Sequence, residues 1–469
     1  MHKPIRMRKA VRTDERAERV LARVLSKIKP THAEEKKDEE FSRKLIAKLR
    51  AVVPPGVEIE MAGSIAKKTN LRGDRDFDVF ILFPKEYTKK DLVTLGLGYA
   101  KKAMHPHHWE IGYAEHPYLR AKVEGCDVDV VPSFKIYRAG EMLSSVDRSP
   151  LHTEYVLKNM GERQRDEVRL LKQFLKRIGA YGAELKTAGF SGYLCELLIL
   201  RYGSFRELLA AASAEWGEFI LIDFKGEHVP EEAKEKFHTN FVVVDPVDEN
   251  RNVAAVVSRA SISKFILAAR AFLEHPSEEY FFISLAHAHK KEIQKRILGR
   301  GTEIFYIRFN APRVVPDILW PQMKKTALSL VKHLEMAGFR VFGWDVWSDD
   351  EKECLILIEM ETARLPAVRK AQGPPVHFKN DVYDFLKKHG RSLDIWIEDE
   401  RVLSIEKRKF THAGEIIRDV ARSPKNYGIP DNIAPHFKRY KLLGEREALS
   451  EKYLPLMRQY FVKKGFYLE

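Results

Sequence analysis

Two segments in which carboxylates alternate with apolar side chains constrain the fold of this chain most strongly. The first is Asp76–Phe83 (DFDVFILF), and the second is residues 121–134 (AKVEGCDVDVVPSF). Alternation over four or more residues predicts β-strands that have one polar and one apolar face. The period of two places Asp76 and Asp78 on one face of the first strand. By the same count, both aspartates of CDVDVV share one face of the second strand.

A Gly-Ser dipeptide lies between the first of these strands and another alternating stretch at residues 57–61. Gly63 permits a close approach of the backbone, and Ser64 with the N–H groups after it can donate hydrogen bonds to phosphate oxygens. Lys67 follows one turn later and adds a positive charge. Most Gly-Ser dipeptides are ordinary turns, so this interpretation depends on the neighbouring pair of carboxylates.

Asp76, Asp78 and Asp129 are the candidate catalytic and metal-binding residues. Nucleotidyl transfer needs positioning and charge neutralisation more than covalent chemistry from the protein. Two divalent ions about 3.5–4 Å apart can activate an attacking hydroxyl and stabilise the leaving pyrophosphate, and Mg²⁺ prefers oxygen ligands. If the two strands are neighbours, we expect these carboxylates to hold two Mg²⁺ ions beside a nucleoside triphosphate. The alternative is that the alternating aspartates mark a solvated strand edge.

The composition indicates a polyanionic partner. The formal net charge is +14 over 469 residues, which is typical of nucleic-acid binding, the alternative being a basic surface with no such partner. The three cysteines are far apart and lack a C-x-x-C pair, which predicts neither disulfides nor thiolate zinc sites and favours a cytoplasmic location. No apolar run reaches about 18 residues, and the basic N-terminus lacks an apolar core, so we expect no membrane span and no secretory signal.

Helical patterns fill much of the first two thirds of the chain. Residues 14–50 and 154–274 are predicted to be mainly helical. In one amphipathic helix, an apolar stripe places Arg169, Lys172 and Lys176 on the opposite side, which we expect to be exposed. The apolar segment FSGYLCELLILRY predicts a buried helix, and FVVVDP predicts a short strand followed by the polar turn VDENR.

The final third alternates between strand and helix patterns in an order close to β-α-β-β-α-β. This order predicts a ferredoxin-like, RRM-like sheet with helices on one face. The aromatic signature of RNA-recognition domains is absent, so we expect no base stacking on this sheet. The predicted strands are 302–309, 340–347, 354–360, 393–397 and 402–406, and the predicted helices are 322–336, 380–388, 413–421, 430–438 and 449–463.

In six segments the chain resembles the archaeal, class I CCA-adding enzymes, which are tRNA nucleotidyltransferases of the polymerase-β-like superfamily. The Gly-Ser and D-x-D motifs are shared by the whole superfamily, whereas GFSGYLCELLI and DPVDENRNVAA are more particular to this family. The matching segments lie between residue 63 and about residue 255, and they are GSIAKKTNLRGDRDFDVFILF, CDVDVVPSF, SSVDRSPLHTEYV, DEVRLLKQFLKRIGAYGAE, GFSGYLCELLI and FVVVDPVDENRNVAA.

The resemblance implies an α+β protein in three parts. These are an N-terminal polymerase-β-like nucleotidyltransferase domain (1–153), a central helical domain (154–275) and a C-terminal ferredoxin-like or RRM-like α+β region with terminal helices (276–469). The implied activity is template-independent addition of C, C and A to the tRNA 3′ end from CTP and ATP with Mg²⁺, including repair of incomplete CCA ends. The C-terminal region would contact the acceptor stem and TΨC arm, since A-form RNA is recognised through shape and backbone. Similar enzymes are dimeric, so a homodimer is an open alternative to a monomer.

The functional positions of the family map onto this sequence residue by residue. Its three catalytic, metal-binding carboxylates map onto Asp76, Asp78 and Asp129. Its CTP- or ATP-binding positions map onto Ser64, Lys67, His152, Lys172, Tyr181 and Arg251. The arginine would read the incoming base together with the RNA. From residue types alone, the histidine and the tyrosine also fit structural roles, and the arginine fits a solvated surface charge.

Two other functions fit the same residues. One is a poly(A) polymerase-like terminal nucleotidyltransferase on the same scaffold, and the other is an RNA-binding protein with a catalytically inactive nucleotidyltransferase domain. Addition of CTP to tRNA that lacks its end, stopping after one A, would exclude the first alternative. Mg²⁺-dependent release of pyrophosphate would exclude the second.

Overall fold

The computed structural model describes residues 4–113, 117–282 and 290–462. The chain is of the α+β class, as the sequence predicts. Its described residues divide into two compact units, the first ending at residue 282 and the second beginning at residue 290. Within the described ranges, none of the helices combines the length and the apolar character that a membrane span requires.

The first unit contains the two acidic strands. Its strands are β1 (Glu58–Ala62), β2 (Asp76–Phe83), β3 (Trp109–Tyr113), β4 (Pro117–Val123), β5 (Cys126–Phe134), β6 (Ile220–Ile222), β7 (Phe241–Asp245) and β8 (Asp248–Asn252). Its helices are α1 (Pro4–Ile28), α2 (His32–Arg50), α3 (Gly63–Lys67), α4 (Lys89–Asp91), α5 (Leu97–Met104), α6 (Arg148–Asn159), α7 (Glu162–Arg177), α8 (Gly192–Tyr202), α9 (Phe205–Ala214), α10 (Pro230–Phe237) and α11 (Arg259–Glu274).

Strands β2 and β5 lie within a five-stranded sheet of order β1-β2-β5-β4-β3. They run parallel to each other, and the other neighbouring pairs are antiparallel. The predicted alternation is confirmed, because Phe77, Val79 and Val128 are buried in a core that includes residues of α2 and α5. Parallel strands begin at the same edge of a sheet, so the carboxylates at the two strand beginnings lie side by side.

The predicted strand at 121–134 is in fact two strands, β4 and β5, joined by a tight turn. Glu124 and Gly125 have φ angles of 51° and 79°, the left-handed pair that closes a two-residue hairpin. The two strands then pair antiparallel. The single-strand prediction was wrong because the two-residue turn shifts the alternation of apolar side chains by only one position. A shift this small does not show where one strand ends and the next begins.

A second core of the first unit contains residues of α1, α7, α8, α9 and α11, beside a three-stranded sheet of order β6-β7-β8. The polar stretch 247–251 was predicted as a turn, which was wrong, because most of it forms β8 antiparallel to β7. The predicted helical stretch 14–50 is interrupted at Pro30. Thr31 then begins α2 through a capping box with Glu34.

On the polar side of α7, two of the three basic residues that were predicted to be exposed are buried instead. Arg169 and Lys172 are each 2% exposed, whereas Lys176 is exposed as expected. Arg169 donates hydrogen bonds to the carbonyls of Lys68 and Asn70, so the loop after α3 covers this side of the helix. Helical periodicity predicts which residues share a face, but it cannot reveal that a loop 99 residues earlier packs on the polar face.

The second unit contains a strand-rich centre between helices. Its strands are β9 (Glu303–Asn310), β10 (Val341–Ser348), β11 (Glu353–Met360), β12 (Val368–Pro375), β13 (Asp394–Glu398), β14 (Arg401–Lys407) and β15 (Lys441–Leu443). Its helices are α12 (Lys290–Arg300), α13 (Pro316–Met336), α14 (Lys379–His389), α15 (Ala413–Arg422), α16 (Ala434–Phe437), α17 (Glu445–Ala448) and α18 (Leu454–Phe461).

The main sheet of this unit has the antiparallel order β10-β11-β9-β15, which is a ferredoxin-like arrangement. In the β-α-β-β-α-β order, the second helix is α15 and the fourth strand is β15. The sequence predicted the helix 380–388 and the strands 393–397 and 402–406 in these places. Those three segments are α14, β13 and β14. Together with β12, they form a small insertion between β11 and α15. The sheet of this insertion has the order β12-β14-β13.

Helices cover both faces of the main sheet, where the sequence predicted helices on one face. α13 and α15 pack on one face around Ile307 and Ile356, and α12 and α18 pack on the other around Leu355 and Leu357. Of the three predicted closing helices, α15 matches the first, and only the short α16 forms in the second. In the third only α18 forms, and residue 463 lies outside the described residues.

Candidate active site

Two acidic strands form one side of the candidate site. The parallel register of β2 and β5 places Asp78 opposite Asp129 and Asp76 opposite Asp127. All four carboxylates line one cavity of 660 Å³ in the first unit. Burial, with the nearby charge of Asp129, raises the pKa of Asp78 to about 6. Burial also raises the pKa of Asp76, together with the charges of neighbouring aspartates, so this side of the cavity carries an excess of negative charge.

Arg120 supplies a positive charge to the acidic strands. It lies on β4 opposite Asp129, and its Nε and Nη2 each donate a 2.9 Å hydrogen bond to one oxygen of that carboxylate. Nη2 also donates to the hydroxyl of Tyr118 at 2.8 Å. In the part of the chain that the structure describes, no three Asp, Glu, His or Cys side chains form a ready-made metal site. Arg120 engages both oxygens of Asp129, so a hard divalent cation at this carboxylate would compete with the guanidinium for them.

The backbone at Gly63 lies directly against Asp78. A β-carbon at position 63 would stand 1.9 Å from Oδ2 of Asp78, and the φ angle of Gly63 is +71°, which glycine adopts most readily. The predicted Gly-Ser turn is the beginning of the short helix α3, and Ser64 lines the cavity. Glycine at this position is thus favoured both by the backbone angle and by the close approach to the carboxylate.

Lys67 and Lys172 line the same cavity, in a network centred on Glu196. Nζ of Lys67 lies 2.6 Å from Oε2 of Glu196, and Nζ of Lys172 lies 3.8 Å from Oε1. Thr69 donates a hydrogen bond to Glu196 at 2.6 Å and accepts one from Lys172 at 3.2 Å. Burial lowers the pKa of Lys172, and the charge of Glu196 opposes this effect. Tyr181 also lines the cavity.

Glu196 was not identified from the sequence, although a signal was present. It is the one acidic residue of the apolar helix α8 (GYLCELLILRY), and it is fully buried. A buried carboxylate needs cationic or hydrogen-bonding partners. An acidic residue within an otherwise apolar helix therefore indicated a buried cation nearby.

His152 and Arg251 are not among the residues that line this cavity, and they meet beside it at Asp245. Nε2 of His152 and Nη1 of Arg251 each lie 2.8 Å from Oδ2 of Asp245. Tyr193 donates to Oδ1 of Asp245 at 3.1 Å, and its ring stacks on that of His152 at 3.9 Å between centroids. Because Tyr193 lines the cavity, it connects the two groups of residues. Neither Asp245 nor Tyr193 was selected from the sequence, and the only signal for the aspartate was its place at the end of an apolar strand.

The cavity combines ligands for cations with ligands for a polyanion. Its carboxylates can coordinate divalent metal ions, and the two lysines can bind phosphate oxygens as point charges. Of the nine site residues selected from the sequence, seven line this cavity, and the other two lie beside it. The arrangement therefore suits a polyphosphate that carries metal ions.

Three family models match successive parts of the chain. Residues 42–152 match the nucleotidyltransferase domain, and residues 166–282 match the second domain of tRNA nucleotidyltransferase. Residues 300–440 match the C-terminal domain of CCA-adding enzyme. The predicted N-terminal nucleotidyltransferase domain is thereby confirmed.

Archaeal proteins named CCA-adding enzyme are similar to this chain over most of its length. The protein of Methanothermobacter thermautotrophicus is 38% identical over 421 residues, which are 89% of this chain and 91% of the relative. The protein of Methanocaldococcus jannaschii is 36% identical over 432 residues, which are 89% and 94% of the two chains. The protein of Pyrobaculum neutrophilum is 39% identical over 406 residues, which are 86% and 93%.

Proposed function

The chain belongs to the family of CCA-adding enzymes, and from this premise we propose that it adds C, C and A to the 3′ end of tRNA. The substrates are CTP and ATP, no nucleic-acid template is used, and the same reaction repairs incomplete CCA ends. The observation that carries the proposal is the single cavity shared by the carboxylates of β2 and β5 with Lys67 and Lys172. Nucleotidyl transfer requires such a site, because metal ions and a triphosphate must be held together.

Asp76, Asp78 and Asp129 are the proposed ligands of two Mg²⁺ ions. Nucleotidyltransferases of this superfamily use divalent metal ions. Oxygen donors with an excess of negative charge fit Mg²⁺, and the raised pKa of Asp78 supports the proposal because a cation would stabilise its ionised form. When bound, the ions activate the 3′-hydroxyl of the RNA and stabilise the pyrophosphate that leaves.

The incoming nucleotide is proposed to bind with its triphosphate at the two lysines. The lysines neutralise phosphate charge, and the hydroxyl of the serine after Gly63 donates to a phosphate oxygen. The arginine held by Asp245 reads the base together with the RNA end, which is supported by the link through Tyr193 to the cavity. The proposed CTP- and ATP-binding residues are Ser64, Lys67, His152, Lys172, Tyr181 and Arg251.

The tRNA is proposed to bind the C-terminal part of the chain through its acceptor stem and TΨC arm. The proposed parts are 1–153, 154–275 and 276–469, and the three family matches, which begin at residues 42, 166 and 300, support this division. The net charge of +14 supports binding to an RNA backbone. A cytoplasmic location is supported by the cysteines, which are all free and buried.

The test uses tRNA that ends at its discriminator base, incubated with labelled CTP and ATP separately and together. We expect CTP alone to extend the tRNA by two nucleotides, ATP alone to add none, and the mixture to add three. Long runs of A from ATP alone would favour a poly(A) polymerase-like enzyme instead. No incorporation with any nucleotide in the presence of Mg²⁺ would favour an inactive RNA-binding protein.

A further inference from the structure

Glu196 is a fully buried carboxylate with both of its oxygens engaged. Oε2 accepts a 2.6 Å hydrogen bond from Nζ of Lys67, and Oε1 accepts one of 2.6 Å from the hydroxyl of Thr69. Oε1 also lies 3.8 Å from Nζ of Lys172, which donates to the Thr69 carbonyl at 3.0 Å. The glutamate comes from α8, and the two lysines come from α3 and α7, so side chains of three helices meet at one carboxylate.

This network leaves one positive charge in the lining of the cavity. When Lys67 and Lys172 are both protonated, they contribute two positive charges, Glu196 removes one, and Thr69 is neutral. The two lysine side chains are only 8% and 3% exposed. Water therefore screens this charge weakly, and an anion bound in the cavity would complement it.

We propose that Glu196 is a positioning residue for the incoming nucleotide. It holds the ammonium groups of Lys67 and Lys172 in place before CTP or ATP arrives, and it does not touch the nucleotide itself, because both of its oxygens are already engaged. The inference rests on the proposed function, since it takes the triphosphate of CTP or ATP as the anion that binds there.

The two lysine side chains need to be held in place because lysine is flexible. The ammonium group sits on a flexible four-carbon stem, and fixing it before binding reduces the entropy that is lost when the ligand arrives. Without Glu196, two ammonium groups would share a poorly solvated site, which disfavours the charged form of at least one of them. A glutamate that only joined α8 to α3 would affect folding, and it would leave the nucleotide affinity of the folded protein unchanged.

The test compares Glu196→Gln with Glu359→Gln as a matched control. Glu359 is also fully buried and ion-paired, with Arg300 at 2.8 Å, but it lies in the main sheet of the second unit. On tRNA that lacks its CCA end, we expect E196Q to raise the KM for CTP about tenfold and to change kcat less than about threefold. Calorimetric titration with CTP should show a similar loss of affinity. E359Q should leave both the KM and the CTP affinity unchanged.

A second variant tests the positioning role of Glu196 if E196Q folds poorly. Glu196→Asp keeps the negative charge but shortens the side chain by one methylene group, so the carboxylate no longer reaches Lys67 and Thr69 together. We expect E196D to weaken CTP binding while its melting temperature stays within a few degrees of the wild type. Wild-type CTP affinity in a folded Glu196 variant would overturn the inference.

Failure of this inference is distinguishable from failure of the proposed function. If the wild-type protein adds no C or A to the tRNA, the proposed function is wrong. If it adds CCA but the Glu196 variants bind CTP normally, only the positioning role is wrong. Combined with Lys67→Met, E196Q should weaken CTP binding much less than it does alone, because one lysine that it positions is then absent. Fully additive effects of the two substitutions would contradict the positioning role.

Discussion

Among single residues, Asp78 and Asp129 differ in how their negative charges are compensated. Burial, with the charge of Asp129, raises the pKa of Asp78 to about 6. Asp129 has a counter-charge in Arg120, which donates to both of its oxygens. In the proposed two-metal site, a divalent ion would supply positive charge to Asp78, and we expect Arg120 to withdraw from Asp129. In the proposed site, divalent ions would complete the charge balance that Arg120 supplies at Asp129 alone.

Replacing Asp78 by asparagine should stop the chemistry and spare RNA binding. We expect Asp78→Asn to lower the rate of C addition at least about 100-fold, because it removes the charge of a proposed metal ligand and keeps the shape of the side chain. The affinity for tRNA should change less than about threefold, since phosphate contacts elsewhere dominate it. Single-turnover assays with labelled CTP give the rate, and filter binding gives the affinity.

The matched control for this substitution is Asp127→Asn. Asp127 lies two residues before Asp129 on β5 and also lines the cavity, but it is exposed, pairs with Lys122 at 3.4 Å and is not one of the three proposed metal ligands. We expect the control to keep most of the activity. A normal rate of C addition by the Asp78 variant would show that the catalytic assignment is wrong.

The sequence predicted which aspartates share a strand face, because side-chain alternation is a local property. It did not predict the pairing of Arg120 with Asp129, which depends on the hairpin register between β4 and β5. It also did not identify Glu196 as a charged anchor, because its partner Lys67 is 129 residues away in the chain. The same holds for Asp245, whose partners come from α6, α8 and β8.

Among the secondary-structure elements, the beginning of α3 determines how closely the backbone approaches the carboxylates. A β-carbon on Gly63, where φ is +71°, would lie 1.9 Å from Oδ2 of Asp78. We expect Gly63→Ala to lower the rate of C addition at least about 100-fold by displacing that carboxylate. Strain at the positive φ angle should lower the free energy of unfolding by about 1–2 kcal/mol. Rate assays and urea denaturation measure the two effects.

Gly73→Ala separates the effect of the backbone angle from that of the contact. Gly73 also has a positive φ angle, +86°, but a β-carbon there would meet no atom within 4 Å. The control should lose similar stability and keep its activity. If both variants lost activity equally, backbone strain rather than displacement of Asp78 would be the cause.

In the second unit, Glu353 ties β11 to β9 and to the segment before α18. It accepts hydrogen bonds from Arg308, from Lys452 at 2.6 Å and from Tyr453 at 2.8 Å. Although burial opposes the change, these bonds lower the pKa of Glu353 to about 2, from an ordinary value of 4.5. A carboxylate whose pKa is lower in the folded protein contributes stability above its ordinary pKa, and this contribution is lost as the pH falls.

Glu353→Gln should therefore destabilise the protein in a pH-dependent way. At pH 7 we expect the free energy of unfolding to fall by about 1–2 kcal/mol, a figure reduced for solvent screening of the partly exposed partners. The difference from the wild type should shrink as the pH falls from about 4.5 towards about 2. Urea denaturation at pH 7 and pH 3 measures it. An equal difference at both pH values would exclude the charge of Glu353 as the source of the stability.

Elements with strong periodicity were predicted well, and short or irregular ones were not. The ends of β2 were predicted as observed, and those of β11 within one residue. β12 was missed because its sequence, VRKAQGPP, contains glycine and prolines, which are depleted in strands. β15 was missed because three residues are too few to show a period. Because these strands were missed, the last helix and the last strand of the ferredoxin-like sheet were predicted in the wrong segments. Local patterns cannot reveal that a segment is an insertion.

For the whole molecule, the cavity and all nine site residues selected from the sequence belong to the first unit. The family matches at 42–152 and 166–282 lie in this unit, and the match at 300–440 lies in the second. The proposed chemistry therefore involves the first unit, and the second unit is available for the proposed RNA binding.

Binding of tRNA should weaken steeply with salt. The chain carries a net charge of +14, and every contact with an RNA phosphate releases condensed counterions. We expect the Kd for tRNA to rise at least about tenfold between about 50 mM and about 200 mM KCl. Fluorescence anisotropy over a series of KCl concentrations measures the slope. An affinity independent of salt would contradict recognition through the RNA backbone.

The most direct measurement of the metal site is anomalous diffraction from crystals soaked with Mn²⁺ and CTP. Mn²⁺ takes the same oxygen ligands as Mg²⁺, and its anomalous signal locates it independently. We predict two Mn²⁺ peaks about 3.5–4 Å apart, bonded by Asp76, Asp78 and Asp129, with the guanidinium of Arg120 withdrawn from Asp129. Peaks only elsewhere in the molecule, or none beside these three carboxylates, would contradict the two-metal site.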